Sequence, residues 1–172
     1  GAIPMKWVIV SDNHGEQGIL HEIYEKYKDA DLFLHLGDSE FDYDDTELSL
    51  YQRVKGNCDF DPQFPIEEQG EIEGIGYFYT HGHRYDIKGS REVLSAHAKN
   101  NHAKFAFYGH SHVALCETID GVYCINPGSI SQTRGQWEET YAIIEFDEAL
   151  NNATLTYLNR NNEEVEKLSL AI

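Results

Sequence analysis

The stretch FAFYGHSH (105–112) ends an apolar, aromatic run in two imidazoles, His110 and His112, set two residues apart. Four other short apolar runs stop the same way: before Asp12 and His14, before Asp38, before Asn57 and before His81. Seven metal-capable side chains thus follow five strand-like segments. In parallel α/β sheets, ligands gather outside the carboxyl ends of the strands. Mixed Asp, His and Asn donors suit Mn²⁺, Zn²⁺ or Fe²⁺ and not a thiolate-rich structural zinc. A pair of adjacent ions needs a bridging carboxylate to offset their mutual repulsion. About 3.5–4 Å apart, such ions share a hydroxide and clamp a phosphoryl group.

Each residue alone has a plainer explanation. A lone His near a strand end is usually a hydrogen-bonded structural residue. Asp after Gly at a turn commonly bonds its own backbone, and Asn57 could take a positive φ. All of these must hold together in SDNHG, LGD, GN, THGH and GHSH for the chemistry to vanish.

The elements that must position these residues can be read in outline. Segments 6–15, 31–38 and 51–59 read as strands, and 18–27 has helical spacing of Ile19, Leu20, Ile23, Tyr24 and Tyr27. This alternation predicts a mainly parallel βαβ beginning. Residues 67–83 read as a hairpin with Gly turns. Residues 90–101 read as a helix capped by Ser90, with Val93, Leu94 and Ala98 as a modest apolar stripe. Strands follow at 104–112 and 121–129. An antiparallel meander follows over 140–147, 153–159 and 163–170, joined by Asn- and Asp-rich turns. The acidic run EFDYDDTE (40–47) reads as a solvated loop. No repeat, linker or low-complexity segment interrupts the pattern.

The 172 residues suit one compact domain, with 41% hydrophobic and 25% charged residues. Residues 1–4, GAIP, read as a remnant of cloning ahead of a native start at Met5. No secretory leader or apolar run of membrane-spanning length is evident. Three Cys residues argue against a disulfide framework, so a reducing, cytoplasmic location is expected. Thirteen basic against thirty acidic residues give a formal charge of −17. That charge repels nucleic acid and anionic membranes, so neither is an expected partner. An anionic substrate would need a local reversal of the field, which bound divalent cations provide.

The order Asp-x-His, Gly-Asp, Gly-Asn-x-Asp, His, Gly-His-x-His, over residues 5–135, resembles the calcineurin-like metallophosphoesterase superfamily. Within it, the chain most resembles the compact bacterial and archaeal phosphodiesterases, with the retromer subunit of the same fold as a relative. The resemblance implies an α/β fold of two facing mixed β-sheets flanked by helices, a four-layer αββα sandwich. It implies that Asp12, His14 and His112 hold one metal, that Asn57, His81 and His110 hold a second, and that Asp38 bridges. Two divalent ions are implied, manganese first, with zinc, iron(II) or nickel also compatible. The implied activity is hydrolysis of small phosphodiesters by a hydroxide bridging the two metals. Asp38, Asn57, Cys58 and Asp59 are its candidate catalytic residues. The family often forms dimers or tetramers, and a homo-oligomer stays open.

One departure matters. Many superfamily members carry His at the position of Cys58, though the compact subgroup often has Cys. A thiol is a poorer acid than imidazole near neutral pH, so esters with poor leaving groups should react slowly. Cys58 as an inert small side chain is an equal alternative. Asn126 or Arg134, in INPGSISQTRG (125–135), could touch substrate phosphate, the Arg through paired N–H donors. Asp59 could orient a ligand His, and His83 could line the pocket. His35 reads as a satisfied core histidine; His21, His97 and His102 read as surface residues. Two alternatives compete with the diesterase: a non-catalytic scaffold on the same fold, and a phosphomonoesterase.

Overall fold

The computed structural model describes residues 4–135 and 137–172. Residues 1–3, most of the segment read as a cloning remnant, lie outside it. The chain builds β1 (Lys6–Val10), α1 (Ile19–Lys26), β2 (Leu32–His35), β3 (Gln52–Arg53), β4 (Glu67–Ile72), β5 (Ile75–Thr80) and α2 (Glu92–Asn100). It continues through β6 (Phe105–Phe107), β7 (Leu115–Ile119), β8 (Val122–Asn126), β9 (Thr140–Phe146), β10 (Asn152–Asn159) and β11 (Glu164–Ala171). One sheet runs β11-β10-β9-β1-β2-β3 and the other β4-β5-β6-β8-β7. Both are mixed: β1, β2 and β3 pair in parallel, as do β5, β6 and β8, while β9 joins β1 antiparallel.

Strand alternation explains the layers. In β1, Trp7 and Ile9 face the second sheet, while Val8 and Val10 pack under Ile19, Leu20 and Ile23 of α1. In β6, Phe105 and Phe107 face the first sheet, and Ala106 packs with Leu94 and Ala98 of α2. The result is helix, sheet, sheet, helix, as the family resemblance implies. Trp7 anchors the inter-sheet layer. Its ring meets Tyr77, Phe105, Phe107 and Phe146 at centroid distances of 5.3, 5.4, 6.2 and 4.7 Å.

Several local readings need correction. Val93 does not join the apolar stripe; it is 64% exposed, because the buried face of α2 runs through Leu94, Ser95 and Ala98. Ser90 accepts a bond from Glu92 N, but the helix starts one residue later than a Ser90 cap requires. The sequence reading has no strand at 115–119, where β7 pairs with β8. The acidic loop is only partly solvated. Glu47 accepts bonds from Gly18 N and His21 N and so caps α1 from a distance.

The indole N–H of Trp7 is buried without a hydrogen-bond partner among the described residues. Trp7→Phe loses one ring of the indole but also the unpaired N–H, so it should cost about 1–2 kcal/mol. Trp7→Ala should cost about 3–5 kcal/mol. Urea titration distinguishes the two, and equal losses would show that the aromatic layer does not carry the sheet packing.

Candidate metal centre

Every sequence-predicted ligand lies just beyond the carboxyl end of a parallel strand. Asp12 and His14 follow β1, Asp38 follows β2, Asn57 follows β3, His81 follows β5, and His110 and His112 follow β6. Asp12, His14, Asp38, His110 and His112 all have left-handed φ values of 58, 44, 57, 72 and 60°. His110 and His112 therefore do not project from an extended segment; sharp left-handed loops aim them. Asn57 sits in the turn closed by Asp59 N on Gly56 O but is not among the positive-φ residues, so a left-handed conformation does not account for it.

Ligand atoms of Asp12, His14, Asp38 and His112 all lie within 4.8 Å of one another. His14 Nε2 and His112 Nε2 are 3.0 Å apart, and His112 Nε2 is 3.2 Å from Asp12 Oδ1. Beside them, Asn57 Oδ1 lies 3.0 Å from both His81 Nε2 and His110 Nδ1. His81 Nε2 also lies 3.2 Å from Asp38 Oδ2 and 3.8 Å from Asp12 Oδ1, which ties the two groups together.

The outer ring atoms fix the tautomers. His81 Nδ1 donates to Leu36 O at 2.7 Å, and His112 Nδ1 donates to Gln132 O at 2.6 Å. His14 Nδ1 donates to the Glu40 carboxylate at 3.1 Å. In each neutral ring the remaining Nε2 carries a lone pair, and that lone pair faces other acceptors. Asp12 Oδ1 is fully buried and has no hydrogen-bond partner. Such an arrangement of acceptors is repulsive unless a cation or a proton stands between them. These residues fit divalent metal ions.

Supporting groups hold the loops. Asp59 accepts from Asp38 N, Glu40 N and Gly56 N, each at 2.8 Å. It pins the backbone that carries Asp38, and does not orient a His as expected; burial pushes its pKa up against those three donors. Cys58 N donates to Asp38 Oδ1 at 2.8 Å. Burial, then Asp38 and Glu40, push the Cys58 thiol up to about 11, so it stays protonated near neutral pH. Asn126 is fully buried. Its amide donates to Gly109 O and Ser111 Oγ and accepts from Gly128 N, which makes it a brace for the His110 loop and not a substrate contact. His35 is neutral, lowered to about 4 by burial, and bonds Asn13 Oδ1 at 2.8 Å, which steadies the loop between Asp12 and His14. His83 lies 5.6 Å from the His81 ring and 6.2 Å from the His110 ring, in the wall of the site. Arg134 N donates to His112 O, and its side chain lines a cavity next to Ser111. His97 is half-buried and bonds Glu67 instead of lying free on the surface.

Sequence reasoning missed Glu40, Gln132, Ser11 and Ser129. Glu40 was hidden in an acidic run, and Gln132 acts through its backbone, which no side-chain pattern reveals. Ser11 donates to Asp12 Oδ2, and Ser129 Oγ donates to Asp12 O at 2.8 Å.

Residues 5–149 match the calcineurin-like phosphoesterase superfamily domain. A probable metallophosphoesterase, YsnB of Bacillus subtilis, is 34% identical over 165 residues, covering 95% of this chain and 96% of that protein. Phosphodiesterase YfcE of Escherichia coli is 29% identical over 150 residues, covering 81% of this chain and 72% of its own. The crystal structure of a conserved Streptococcus pneumoniae protein, a predicted phosphoesterase, superposes with a TM-score of 0.92 at 30% identity and covers 100% of both chains. With its two-sheet sandwich and this ligand set at the strand ends, the chain belongs to the calcineurin-like phosphoesterase superfamily.

In the metal-free protein a proton takes the cation's place. Burial opposes charge on His81, but Asp12 and Asp38 prevail and raise its pKa to about 9. That proton must leave before Nε2 can ligate. Metal binding at pH 7.5 should therefore release about one proton per chain from this site, and affinity should rise by up to about tenfold per pH unit toward pH 9. The same raised pKa stabilises the metal-free fold fully below the ordinary value of 6.5, and this support is lost as pH rises through about 9. Calorimetry in buffers of different ionisation enthalpy counts the protons, and none released at pH 7.5 would contradict the assignment. A second test uses Gly109, where an added Cβ would strike Ser11 Oγ and Asp12 Oδ2. Gly109→Ala should weaken metal binding by about 10–100-fold while circular dichroism stays native.

Proposed function

We propose that this chain is a metal-dependent phosphodiesterase acting on small diesters, with residues 5–172 working as one domain. The observation that carries the reading is the convergence of the Nε2 atoms of His14, His81 and His112 on the buried carboxylates of Asp12 and Asp38, with Asp12 Oδ1 left without a hydrogen-bond partner. Asp12, His14 and His112 would hold one ion, and Asn57, His81 and His110 a second, with Asp38 shared. The donor set admits manganese first, and zinc, iron(II) or nickel as well. Two divalent ions held there supply Lewis acidity toward phosphoryl oxygens and acidify water to a pKa of about 7.

The chain's own groups then divide the work. Glu40 and the Gln132 carbonyl keep the His14 and His112 lone pairs inward. Asp59 and the Cys58 N–H keep the Asp38 carboxylate in place. Cys58 lines the cavity beside Glu40 and Phe60, so its place is in the wall of the site. Two separate cavities border the cluster. One is lined by Glu40, Cys58 and Phe60, the other by Lys88, Ser111 and Arg134. A diester has an arm for each; a monoester has one. The phosphodiesterase relative from Escherichia coli supports the same substrate class.

Chelator-stripped protein should hydrolyse neither bis(4-nitrophenyl) phosphate nor 4-nitrophenyl phosphate. Manganese should restore turnover, faster on the diester. Asp38→Asn and His110→Ala should each lose at least about 100-fold in kcat/KM, whereas Cys58→Ser should stay within about threefold. Full activity in a folded, metal-checked Asp38→Asn protein would end this reading. Metal bound without turnover of any phosphoester would favour the scaffold alternative.

A further inference from the structure

A cavity of about 400 Å³ opens between the segment leading into α2 and the segment that carries His110 and His112. Its apolar surface comes from Ile87, Tyr108, Val113 and Leu115. Its charge comes from Lys88, Arg91 and Arg134. Arg91 is spent on the fold: its guanidinium forks onto both oxygens of Glu117 and also bonds Ile87 O. Lys88 and Arg134 have no ion-pair partner among the described residues, although acidic residues outnumber basic ones thirty to thirteen in this chain. Both are exposed and free to close over a ligand.

The cavity lies against the loop that carries two of the candidate ligands. Ser111, in its wall, sits between His110 and His112, and Arg134 N bonds His112 O at 2.9 Å. The cavity beside Cys58 has the opposite character, with Glu40, Asp42 and Asp61 around Phe60 and no basic residue. An anionic group is repelled on that side and attracted on the Lys88 side. The volume suits a ring of nucleoside size.

Building on the diesterase reading, we propose that the Lys88–Arg134 cavity binds one arm of the substrate, and that this arm is a ring bearing a second anionic group, as in a phosphorylated nucleoside. The enzyme then prefers asymmetric diesters, with the charged arm toward α2 and the uncharged leaving arm toward Phe60. Ile87, Tyr108 and Val113 cover the ring, and Lys88 and Arg134 meet the distal anion.

Two chromogenic substrates test this directly: thymidine 5′-(4-nitrophenyl phosphate) and its 3′-phosphorylated counterpart. They share the leaving group and the scissile diester and differ only in the distal charge. With manganese-loaded protein at low salt, kcat/KM should favour the 3′-phosphorylated substrate by about tenfold, mainly through KM, and the preference should shrink at high salt. The ratio within one protein is the readout, so a poorly folded variant scales both values alike. Lys88→Gln should lower the ratio, and Lys88→Gln with Arg134→Gln should bring it to near one. A wild-type ratio of one or less overturns the proposal, as does a ratio the double variant preserves. If bis(4-nitrophenyl) phosphate is hydrolysed but neither thymidine substrate is, the cavity does not take the arm and the proposal fails while the diesterase reading stands. If no diester is hydrolysed, the diesterase reading fails separately. Equilibrium binding of thymidine 3′,5′-bisphosphate then judges the cavity: a fivefold or greater weakening in the double variant, on the order of two exposed charge contacts, supports it, and equal binding overturns it.

Discussion

Everything at the strand ends depends on a set of acceptors that face one another. Asp12 is fully buried, and around it stand imidazole nitrogens whose protons are already committed outward, to Leu36 O, Gln132 O and Glu40. Lone pairs so placed repel unless a positive charge stands between them, a proton on His81 in the metal-free protein or a cation held by the cluster. The backbone is strained to the same end. Left-handed conformations at Asp12, His14, Asp38, Glu40, His110 and His112 each cost about 1–2 kcal/mol for an ordinary residue. They persist because the loops lock one another: Asp12 N bonds Gly37 O, His14 N bonds Asp38 O, and Gly15 N bonds Ser39 O. Strain held in place by cross-bonds between loops is the usual mark of a preorganised site.

The site also requires that two sheets keep their register. Asp12, Asp38 and Asn57 come from one sheet, and His81, His110 and His112 from the other. Nothing covalent joins these halves at the site, so the aromatic layer between the sheets sets their spacing. Trp7 and Phe146 on one side interlock with Tyr77 and Phe105 on the other. Phe105 is five residues before His110 and Trp7 is five before Asp12, so a slip in this layer would be felt directly as a change in ligand spacing.

The gathering of these side chains at one edge of the fold was legible in the sequence because chemistry-bearing residues stood at the ends of apolar runs, where the period-2 strand pattern breaks. The parallel opening, the hairpin at 67–83 and the C-terminal meander were legible for the same reason, since each is a local pattern. What stayed hidden acts over distance or through the backbone. β7 is a half-buried edge strand whose apolar signal is weak. The pairing of β9 with β1 joins segments more than 130 residues apart. Asp59 was expected to serve an imidazole, but it serves three backbone N–H groups, and a sequence does not distinguish these two uses of a carboxylate. Glu40 and Glu47 looked like solvated charge because their neighbours were charged; each turns out to hold a specific donor.

The charge of −17 at first argues against any anionic substrate. The distribution resolves the conflict more completely than the metals alone could. Divalent ions at the cluster reverse the field only within about a Debye length, some 8–10 Å at moderate salt. A substrate whose charge extends beyond the scissile phosphate needs a second positive region to receive it. The carboxylates around Phe60 deny that on one side, and the unpaired cations Lys88 and Arg134 offer it on the other. Other basic residues, Lys55 and Arg84 among them, also lack an ion pair among the described residues, so what marks that side as cationic is the placement of Lys88 and Arg134 around one cavity beside the Ser111 loop.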